Sequence, residues 1–339
     1  MTQPANTSHK GVIFSGMRPT GLLHLGNYMG ALQNWVTMQQ DYSCIYCAVD
    51  IHALTTLESG EEVDQIKPNI EDMVLDWLAA GIDPEKSTVF VQSHVPEVMT
   101  LHTLLSMVTP LGWLTRVPTF KDKVRQMDET EETVNYGLVG YPVLQTADII
   151  LYKADTVPVG QDQVPHIELS REIVRRFNNM FGETFPEPQA KLTEAPLLIG
   201  LDGQNKMSKT MGNHLDLAAT PEETTKRVLS AYTDPQRLRR DDPGRPEVCN
   251  IYSLHKIFTG AEATATVHQE CTTATRGCVD CKRHLADNIN DYLRELRERR
   301  DDIKARPGYV QEILYEGGKR ARAIAQETIA EVYDKMGLA

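Results

Sequence analysis

The chain has 339 residues, with 47 acidic side chains against 35 lysines and arginines, and a formal net charge of −12. The acidic excess argues against indiscriminate nucleic-acid binding but allows one specific RNA to be held by a local basic stripe. No apolar run approaches the roughly 18 residues of a membrane span, and the first ten residues lack the basic-then-apolar order of a signal peptide. We therefore expect a cytoplasmic protein, and this length can bury a sizeable core in two domains.

Short apolar runs alternate with amphipathic segments through the first part of the chain. Strands are predicted at residues 11–15, 44–49, 89–91, 155–159 and 196–200. Helical spacing groups Leu25, Met29, Leu32 and Val36, then Val63, Ile66, Ile70, Met73 and Trp77, and a further helix is predicted at residues 165–178. This alternation predicts an α/β fold, a Rossmann-like parallel sheet with right-handed crossovers.

Beyond residue 213 the pattern becomes helical. Helical spacing groups Leu285, Ile289, Tyr292 and Leu296, then Ile324, Thr328 and Val332. Residues 234–248, rich in Pro, Arg and Asp, are expected to form a loop. We therefore divide the chain into a flexible N-terminus (1–10), a Rossmann-like domain (11–212) and an all-helical domain (213–339).

Three basic clusters interrupt the acidic background, at residues 237–240, 294–300 and 319–322. Each is either a surface for RNA phosphates or a solvated face that neighbouring acids balance. The sequence leaves both interpretations open.

Two short motifs about 180 residues apart carry the chemistry. His24-Leu25-Gly26-Asn27 lies where the first strand gives way to a helix, and ligands of parallel sheets bind beyond the carboxyl ends of the strands. There Gly26 lets a nucleotide approach the backbone, and the helix N-terminus favours phosphate. Lys206-Met207-Ser208-Lys209-Thr210 places two lysines on a loop, where they can stabilise charge leaving with pyrophosphate. Together the motifs predict a nucleoside triphosphate site in which His24 is a hydrogen-bond donor rather than a base.

Six cysteines in a cytosolic chain do not suggest disulfides. Cys44 and Cys47 lie in a predicted strand, where residues three apart point to opposite faces, and are interpreted as core. The other four are separated by 21, 6 and 2 residues: Cys249, Cys271, Cys278 and Cys281. Such a set suits zinc or an iron–sulfur cluster, with free thiols as the third alternative.

The chain resembles the class I aminoacyl-tRNA synthetases, and within them the tryptophan-specific branch. The resemblance is carried by Gly16-Met17-Arg18-Pro19-Thr20-Gly21, His24-Leu25-Gly26-Asn27-Tyr28, Val49-Asp50-Ile51-His52-Ala53, residues 141–152, Val157-Pro158-Val159-Gly160-Gln161-Asp162-Gln163 and the 206–210 loop. These motifs span most of residues 11–212. Asn27 stands where tyrosine-specific relatives usually carry histidine, which favours the tryptophan branch. Thr210 replaces the usual final serine and keeps its hydroxyl.

The resemblance implies a two-step reaction that uses ATP and Mg²⁺. L-tryptophan is activated to tryptophanyl-adenylate, and the acyl group is then transferred to tRNA(Trp). The implied catalytic set is His24, Asn27, Lys206, Ser208 and Lys209. The implied ATP contacts are Arg18, Thr20, Gly26, Asn27, Gly160, Asp162, Lys206, Met207, Ser208 and Lys209. Lys121 or Lys123 is a further site residue that the resemblance implies less strongly.

For the tryptophan pocket the resemblance implies Phe14, His52, Tyr141, Gln145, Asp148, Val159 and Gln163. An indole N–H can only donate, so its buried partner must be an acceptor, and Asp148 is implied in that role. Phe14 and Val159 would wall the ring, and Tyr141 and Gln163 would hold the amino group. From the residues alone, Asp148 could instead be a helix N-cap before an apolar run. Gln145 stands where relatives often carry an apolar residue.

The resemblance also implies partners. A homodimer is expected, and the apolar residues between 101 and 113 are either its interface or part of the core. Residues 213–339 are expected to bind the tRNA anticodon. A subset of the tryptophan branch carries a [4Fe–4S] cluster on a similar four-cysteine pattern, which favours that cluster over zinc. The alternative functions are a tyrosine-specific synthetase, a small-molecule nucleotidyltransferase with a similar His-x-Gly turn, and a synthetase-like protein that only binds RNA or a partner.

Overall fold

The structure is a computed structural model and describes residues 9–55, 63–126, 130, 133–192 and 198–339. The chain forms two compact units. Unit 1 comprises residues 1–21, 34–194 and 307–339, and unit 2 comprises residues 22–33 and 195–306. In the part of the chain that is described, no helix combines the length and the apolar character needed to cross a membrane.

Unit 1 is built on a five-stranded sheet in the order β3-β2-β1-β4-β5, with every neighbouring pair parallel. The strands are β1 (Val12–Met17), β2 (Ser43–Ala48), β3 (Ser87–Val91), β4 (Thr156–Val159) and β5 (Gln189–Leu192). The interior strand β2 is buried at five of its six positions, as expected of a parallel sheet covered on both faces. Cys44 and Cys47 lie in this strand and are buried, which confirms their interpretation as core.

The helices of unit 1, numbered along the whole chain, surround this sheet. They are α2 (Gln33–Met38), α3 (Asp50–Leu54), α4 (Val63–Ala80), α5 (Glu97–Ser106), α6 (Leu111–Leu114), α7 (Pro118–Gln126), α8 (Tyr136–Ile150), α9 (Val164–Phe181) and α14 (Tyr309–Met336), with 3₁₀ turns at Gln92–His94 and Gln161–Gln163. This strand–helix alternation confirms the predicted α/β class.

Four of the five strands agree with the sequence prediction, and the predicted helix at 165–178 lies within α9. β5 was not predicted because its sequence, Gln-Ala-Lys-Leu, is mostly exposed at the sheet edge and contains no apolar run. The strand predicted at 196–200 lies partly outside the described residues. Within its described part, Ile199 forms an isolated bridge with Lys206.

The C-terminal helix α14 packs against the edge strand β3. A Cβ atom on Gly317 would overlap the carbonyl oxygen of Val89, so the helix backbone lies directly on the strand. Ala321, Ala325 and Val332 of the same helix join the core of unit 1. Residues 307–339 therefore group with the sheet, and the compact units do not follow the boundary predicted near residue 213.

Unit 2 contains α1 (Leu25–Asn27), α10 (Pro221–Leu229), α11 (Asn250–Phe258), α12 (Ala261–Thr272) and α13 (Cys278–Lys304), a π-helical turn at Tyr28–Leu32 and a 3₁₀ turn at Pro246–Val248. α10 begins at a capping box formed by Thr220 and Glu223. α13 packs against α10 and α11 and buries three residues of its predicted face, Leu285, Ile289 and Leu296.

Candidate active site

The first motif forms a capped helix start in unit 2. His24 Nδ1 accepts the backbone N–H of Gly26 at 3.1 Å, and Asn27 Oδ1 accepts the backbone N–H of His24 at 3.0 Å. Because Nδ1 accepts, the neutral ring carries its proton on Nε2. Burial, followed by repulsion from His214 and from the nearby charges of Lys209 and Lys206, lowers the pKa of His24 to about 4. At neutral pH His24 is therefore an uncharged hydrogen-bond donor, the state that its predicted role requires.

The second motif lies against the first within unit 2. Backbone hydrogen bonds of 2.8 and 2.9 Å pair residues 215–217, which follow the second motif, with residues 23–25, which overlap the first. A side chain at Gly26 would be crowded by the His24 ring, which lies 3.0 Å from the position of a Cβ atom there, and that position is in van der Waals contact with Met207 Cβ at 3.5 Å. The fold thus brings together two motifs that are far apart in the sequence.

The whole predicted catalytic set lies in unit 2: His24, Asn27, Lys206, Ser208 and Lys209. Gly26 and Met207 of the predicted ATP set accompany it. Lys206 is exposed and Lys209 is half-buried, and both lie close enough to the imidazole to influence its pKa. Positive charge is therefore concentrated beside the capped helix start.

The lysine loop is braced by residues that the sequence analysis missed. Asn213 Oδ1 accepts the backbone N–H of Ser208 at 2.8 Å, and Asn213 Nδ2 donates to Asp202 at 2.9 Å. Partial burial opposes the charge of Asp202, but its hydrogen bonds outweigh that effect and lower its pKa to about 2. Gly203 and Gly212, with φ of +73° and +62°, provide the left-handed turns at the two ends of the loop.

The remaining residues of the predicted ATP set lie in unit 1. Arg18 and Thr20 follow β1, where the Thr20 N–H donates to the Arg18 carbonyl at 2.9 Å, and burial lowers the pKa of Arg18. Gly160 and Asp162 follow β4, and a Cβ atom on Gly160 would lie 2.7 Å from Asp162 Oδ1. All four are at carboxyl ends of parallel strands, where such sheets bind ligands.

Asp148 is the centre of a buried polar cluster in unit 1. It lies in the last turn of α8 and is 2% exposed. Asn135 is the N-cap of this helix, so the N-cap alternative for Asp148 is wrong. His52 Nε2 lies 2.9 Å from Asp148 Oδ2, and Gln92 Nε2 donates to both carboxylate oxygens at 2.8 Å. A carboxylate offers about four lone-pair positions, so these three hydrogen bonds leave one unused.

A second polar network surrounds Tyr141. Its hydroxyl lies 2.7 Å from His166 Nε2 and 3.0 Å from Thr119 Oγ1. Gln163 Nε2 donates to Asp162 at 2.9 Å, which turns Gln163 Oε1 toward His166 Nδ1, also at 2.9 Å. His166 therefore carries its proton on Nδ1, and its Nε2 is an acceptor. Burial raises the pKa of Tyr141, so the phenol stays protonated and can donate to this nitrogen.

The apolar members of the predicted pocket belong to the core of unit 1. Phe14 is buried and stacks on Tyr152, with ring centroids 5.6 Å apart and planes 10° apart. Val159 ends β4 and is 9% exposed. Gln145 is half-buried on α8, one helical turn from both Tyr141 and Asp148.

Sequence analysis missed Gln92, Thr119 and His166. Gln92 directly follows β3, so the rule that ligands bind at carboxyl ends of strands could have found it. Thr119 and His166 carry no such signal, because only tertiary packing brings them to Tyr141. The weaker match Lys121 is exposed on α7, and the side chain of Lys123 lies outside the described part of the structure.

A family model for class I tRNA synthetases (W and Y) matches residues 6–294. The chain belongs to this family. It is 46% identical to the tryptophan–tRNA ligase of Thermotoga maritima and 45% identical to that of Deinococcus radiodurans, over 96% of this chain and 99% and 98% of those proteins. Among solved structures, tryptophanyl-tRNA synthetase from Campylobacter jejuni complexed with ADP and tryptophan is similar, with a TM-score of 0.86 and 35% identity, over 96% of this chain and 100% of that one.

The four C-terminal cysteines of this synthetase line one small cavity in unit 2: Cys249, Cys271, Cys278 and Cys281. They lie at the starts of α11 and α13 and near the end of α12. Arg237 and Arg276 also line the cavity, and Arg237 Nη1 lies 3.7 Å from Cys271 Sγ. Burial, followed by repulsion from neighbouring thiolates, raises the pKa of Cys281 to about 12. Among the residues described, no three His, Cys, Asp or Glu side chains lie close enough together to hold a single metal ion.

Proposed function

We propose that this synthetase is a tryptophan–tRNA ligase that acts in the cytoplasm. The observation that carries the proposal is Asp148, a buried carboxylate that His52 and Gln92 hold with one acceptor position unused. An indole N–H, which can only donate, suits that position. The tryptophan–tRNA ligases at 46% and 45% identity support the same substrate, as does the similar Campylobacter jejuni enzyme complexed with ADP and tryptophan.

Different residues of the pocket contact different parts of the substrate tryptophan. Phe14 and Val159 pack against the indole ring, with Gln145 at the pocket's side on α8. Tyr141, whose hydroxyl lies within hydrogen-bond distance of His166 and Thr119, is assigned to the substrate ammonium group. Gln163 assists at the same group.

Activation of tryptophan needs no base. A carboxylate oxygen of tryptophan attacks the α-phosphorus of ATP, the bond to the bridging oxygen of the β-phosphate breaks, and pyrophosphate leaves. Because the carboxylate is already ionised, positioning and electrostatics supply the catalysis. The Nε2–H of His24 donates to a phosphate oxygen, and Lys206 and Lys209 stabilise the charge that leaves.

The other nucleotide residues position ATP, which arrives with Mg²⁺ as its substrate complex. Asn27 and Ser208 hold the two unit 2 motifs in shape, and Gly26 and Met207 leave the backbone accessible. From unit 1 we assign Arg18, Thr20, Gly160 and Asp162 to the nucleotide.

In the second step a hydroxyl of the terminal ribose of tRNA(Trp) attacks the acyl carbon, and AMP leaves. We assign anticodon binding to residues 213–339. Some of the basic residues there form hydrogen bonds within the protein. Arg297 donates to the Leu217 carbonyl and to Thr224, and Lys282 donates to the Leu229 carbonyl. Arg239 and Arg240 are exposed and remain suited to phosphate.

Charging of tRNA tests the proposed function. Purified enzyme, ATP and unfractionated tRNA are incubated separately with tryptophan, tyrosine and phenylalanine. We expect stable aminoacyl-tRNA with tryptophan only. Charging with tyrosine would move the chain to the tyrosine-specific branch, and no charging with any of them would support a protein that only binds.

We also propose that the four cysteines hold a [4Fe–4S] cluster. The residues fit the group: four thiols from three helices line one cavity, and Arg237 and Arg276 offset the negative charge of a thiolate-ligated cluster. Bound there, the cluster would tie α11, α12 and α13 together and would act structurally. A single zinc ion is the alternative.

Metal analysis after anaerobic purification distinguishes these alternatives. The proposal predicts about four iron and four sulfide per chain, with visible absorbance that Cys281→Ser removes. Cys44→Ala, at a buried core cysteine, should keep the iron. Zinc without iron would reject the cluster, and the absence of both metals would leave free thiols.

Finally, we propose that the enzyme is a homodimer. Three large apolar side chains near the predicted interface are exposed: Met99 (46%), Met107 (72%) and Leu111 (65%). We assign these exposed apolar side chains to a protein–protein contact.

A further inference from the structure

Gln92 joins three segments of unit 1 and is 1% exposed. Its Oε1 accepts the backbone N–H groups of Ile51 and His52, at 3.1 and 3.3 Å. Its Nε2 donates to both oxygens of Asp148 at 2.8 Å. Backbone N–H groups only donate and a carboxylate only accepts, so the amide has one possible orientation.

These hydrogen bonds also fix the orientation of the carboxylate. A donor shared between both oxygens holds the plane of Asp148, and His52 Nε2 occupies a second position on Oδ2. Of the roughly four lone-pair positions, the unused one is therefore on Oδ1.

We propose that Gln92 is a positioning residue for substrate selection, which holds the Asp148 carboxylate so that its unused Oδ1 lone pair faces the indole N–H. The inference rests on the proposed role of Asp148 as the indole acceptor. In this arrangement Gln92 does not touch tryptophan and acts only through Asp148. Its contribution is therefore specific to substrates that have a ring N–H.

A pair of substrates isolates that contribution. The tryptophan analogue with a benzothiophene ring has sulfur in place of the indole N–H and nearly the same shape. Gln92→Met removes both amide groups at similar volume. We expect kcat/KM for tryptophan in amino-acid-dependent pyrophosphate exchange to fall on the order of 10- to 100-fold, because a hydrogen bond to a charged group is misdirected. Exchange with the analogue should change less than about threefold, so the preference for tryptophan falls.

Gln39 provides a matched control in the same unit. It is 4% exposed, its Nε2 donates to the Gly81 carbonyl at 2.8 Å, and its Oε1 accepts from Asp83 N–H and Ser87 Oγ at 2.9 and 3.3 Å. Gln39→Met should lower the melting temperature about as much as Gln92→Met and leave the substrate preference unchanged. If Gln92→Met slows both substrates equally, its role is structural and the inference is wrong.

Gln92→Glu is a second variant, which still accepts from the Ile51 and His52 backbone. Its carboxyl can donate to Asp148 only when protonated, and two facing carboxylates hold a proton more tightly. The preference for tryptophan should therefore fall as pH rises from about 5 to 8 in this variant and not in the wild type. The other titratable groups around Asp148 are common to both proteins: His52 on α3, Cys47 on β2, His102 on α5 and Tyr152 after α8. A preference that does not change with pH in the variant would overturn the inference.

Asp148→Asn separates this inference from the proposed function. If the variant keeps the wild-type preference for tryptophan over the analogue, Asp148 is not the indole acceptor and the proposed pocket fails. If Asp148→Asn removes the preference while Gln92→Met preserves it, only the role of Gln92 fails.

Discussion

His24 shows how the surroundings of a side chain set its charge. Burial, followed by repulsion from His214 and two nearby lysines, holds its pKa at about 4 instead of 6.5, and the Gly26 N–H fixes its tautomer. Between these two pH values the unfolded chain binds a proton that the folded chain does not. The histidine therefore favours unfolding increasingly as pH falls through that range, and this effect is absent above it.

Histidine NMR measures this state directly. The ring signals of His24, assigned with His24→Gln, should remain those of a neutral Nε2–H ring down to about pH 5 and titrate near 4. A titration midpoint near 6.5 would mean that a substantial fraction of the His24 rings is charged close to neutral pH. That result would contradict the assignment of His24 as a neutral donor.

Lys209 tests the proposed stabilisation of the leaving pyrophosphate. Lys209→Ala should lower the rate of tryptophan activation on the order of 100-fold, because a charge that acts mainly in the transition state is lost. Tryptophan affinity should change less than about twofold. Lys10→Ala, at an exposed lysine paired with Asp41, serves as the control. An unchanged activation rate in Lys209→Ala would remove this lysine from the mechanism.

The residues that sequence could identify are those whose signal is local. His24, Gly26 and the two loop lysines stand in short motifs, so the motifs could be placed on a strand end and a loop. Gln92 and His166 act through side chains distant in sequence, and no local pattern marks such contacts. The proposed acceptor role of Asp148 likewise depends on burial, which the structure shows.

Gly317 is the position at which α14 depends most closely on another element. Gly317→Ala would drive a methyl group into the Val89 carbonyl, so helix or strand must shift. We expect a loss of about 1–3 kcal/mol in the free energy of unfolding, measured by urea denaturation. Gly30→Ala is the control, because a Cβ there meets nothing within 4 Å and should cost nothing. Equal stability of both variants would refute the close packing.

The sequence predicted the strands that contain strong apolar runs and did not predict the strand that lacks one. β1 to β4 have buried sequences, and the sequence located all four, whereas the polar edge strand β5 left no such signal. Periodicity placed Thr328 and Val332 correctly on the buried face of α14, but Ile324, predicted on the same face, is exposed. It did not identify the partner of the helix, because periodicity records burial without naming the surface that covers it. The sheet partner of α14 consequently emerged only from the structure.

The proposed homodimer predicts a change in the size of the whole molecule. Leu111→Glu puts a charge on an exposed apolar side chain at the proposed interface. Light scattering after gel filtration should give about twice the mass of one chain for the wild type and that of one chain for the variant. Leu238→Glu, which changes an even more exposed leucine in unit 2, should leave the dimer intact. A monomeric wild type would contradict the proposal.

We propose that the enzyme as a whole activates tryptophan because the buried carboxylate of Asp148 accepts the indole N–H. Amino-acid-dependent exchange of pyrophosphate into ATP, run with tryptophan and tyrosine on wild type and Asp148→Asn, tests it most directly. We predict exchange with tryptophan only, and a loss on the order of 100-fold in kcat/KM for tryptophan in the variant, with the KM for ATP changed less than about twofold. Exchange with tyrosine as fast as with tryptophan, or an Asp148→Asn enzyme as active as the wild type, would contradict it.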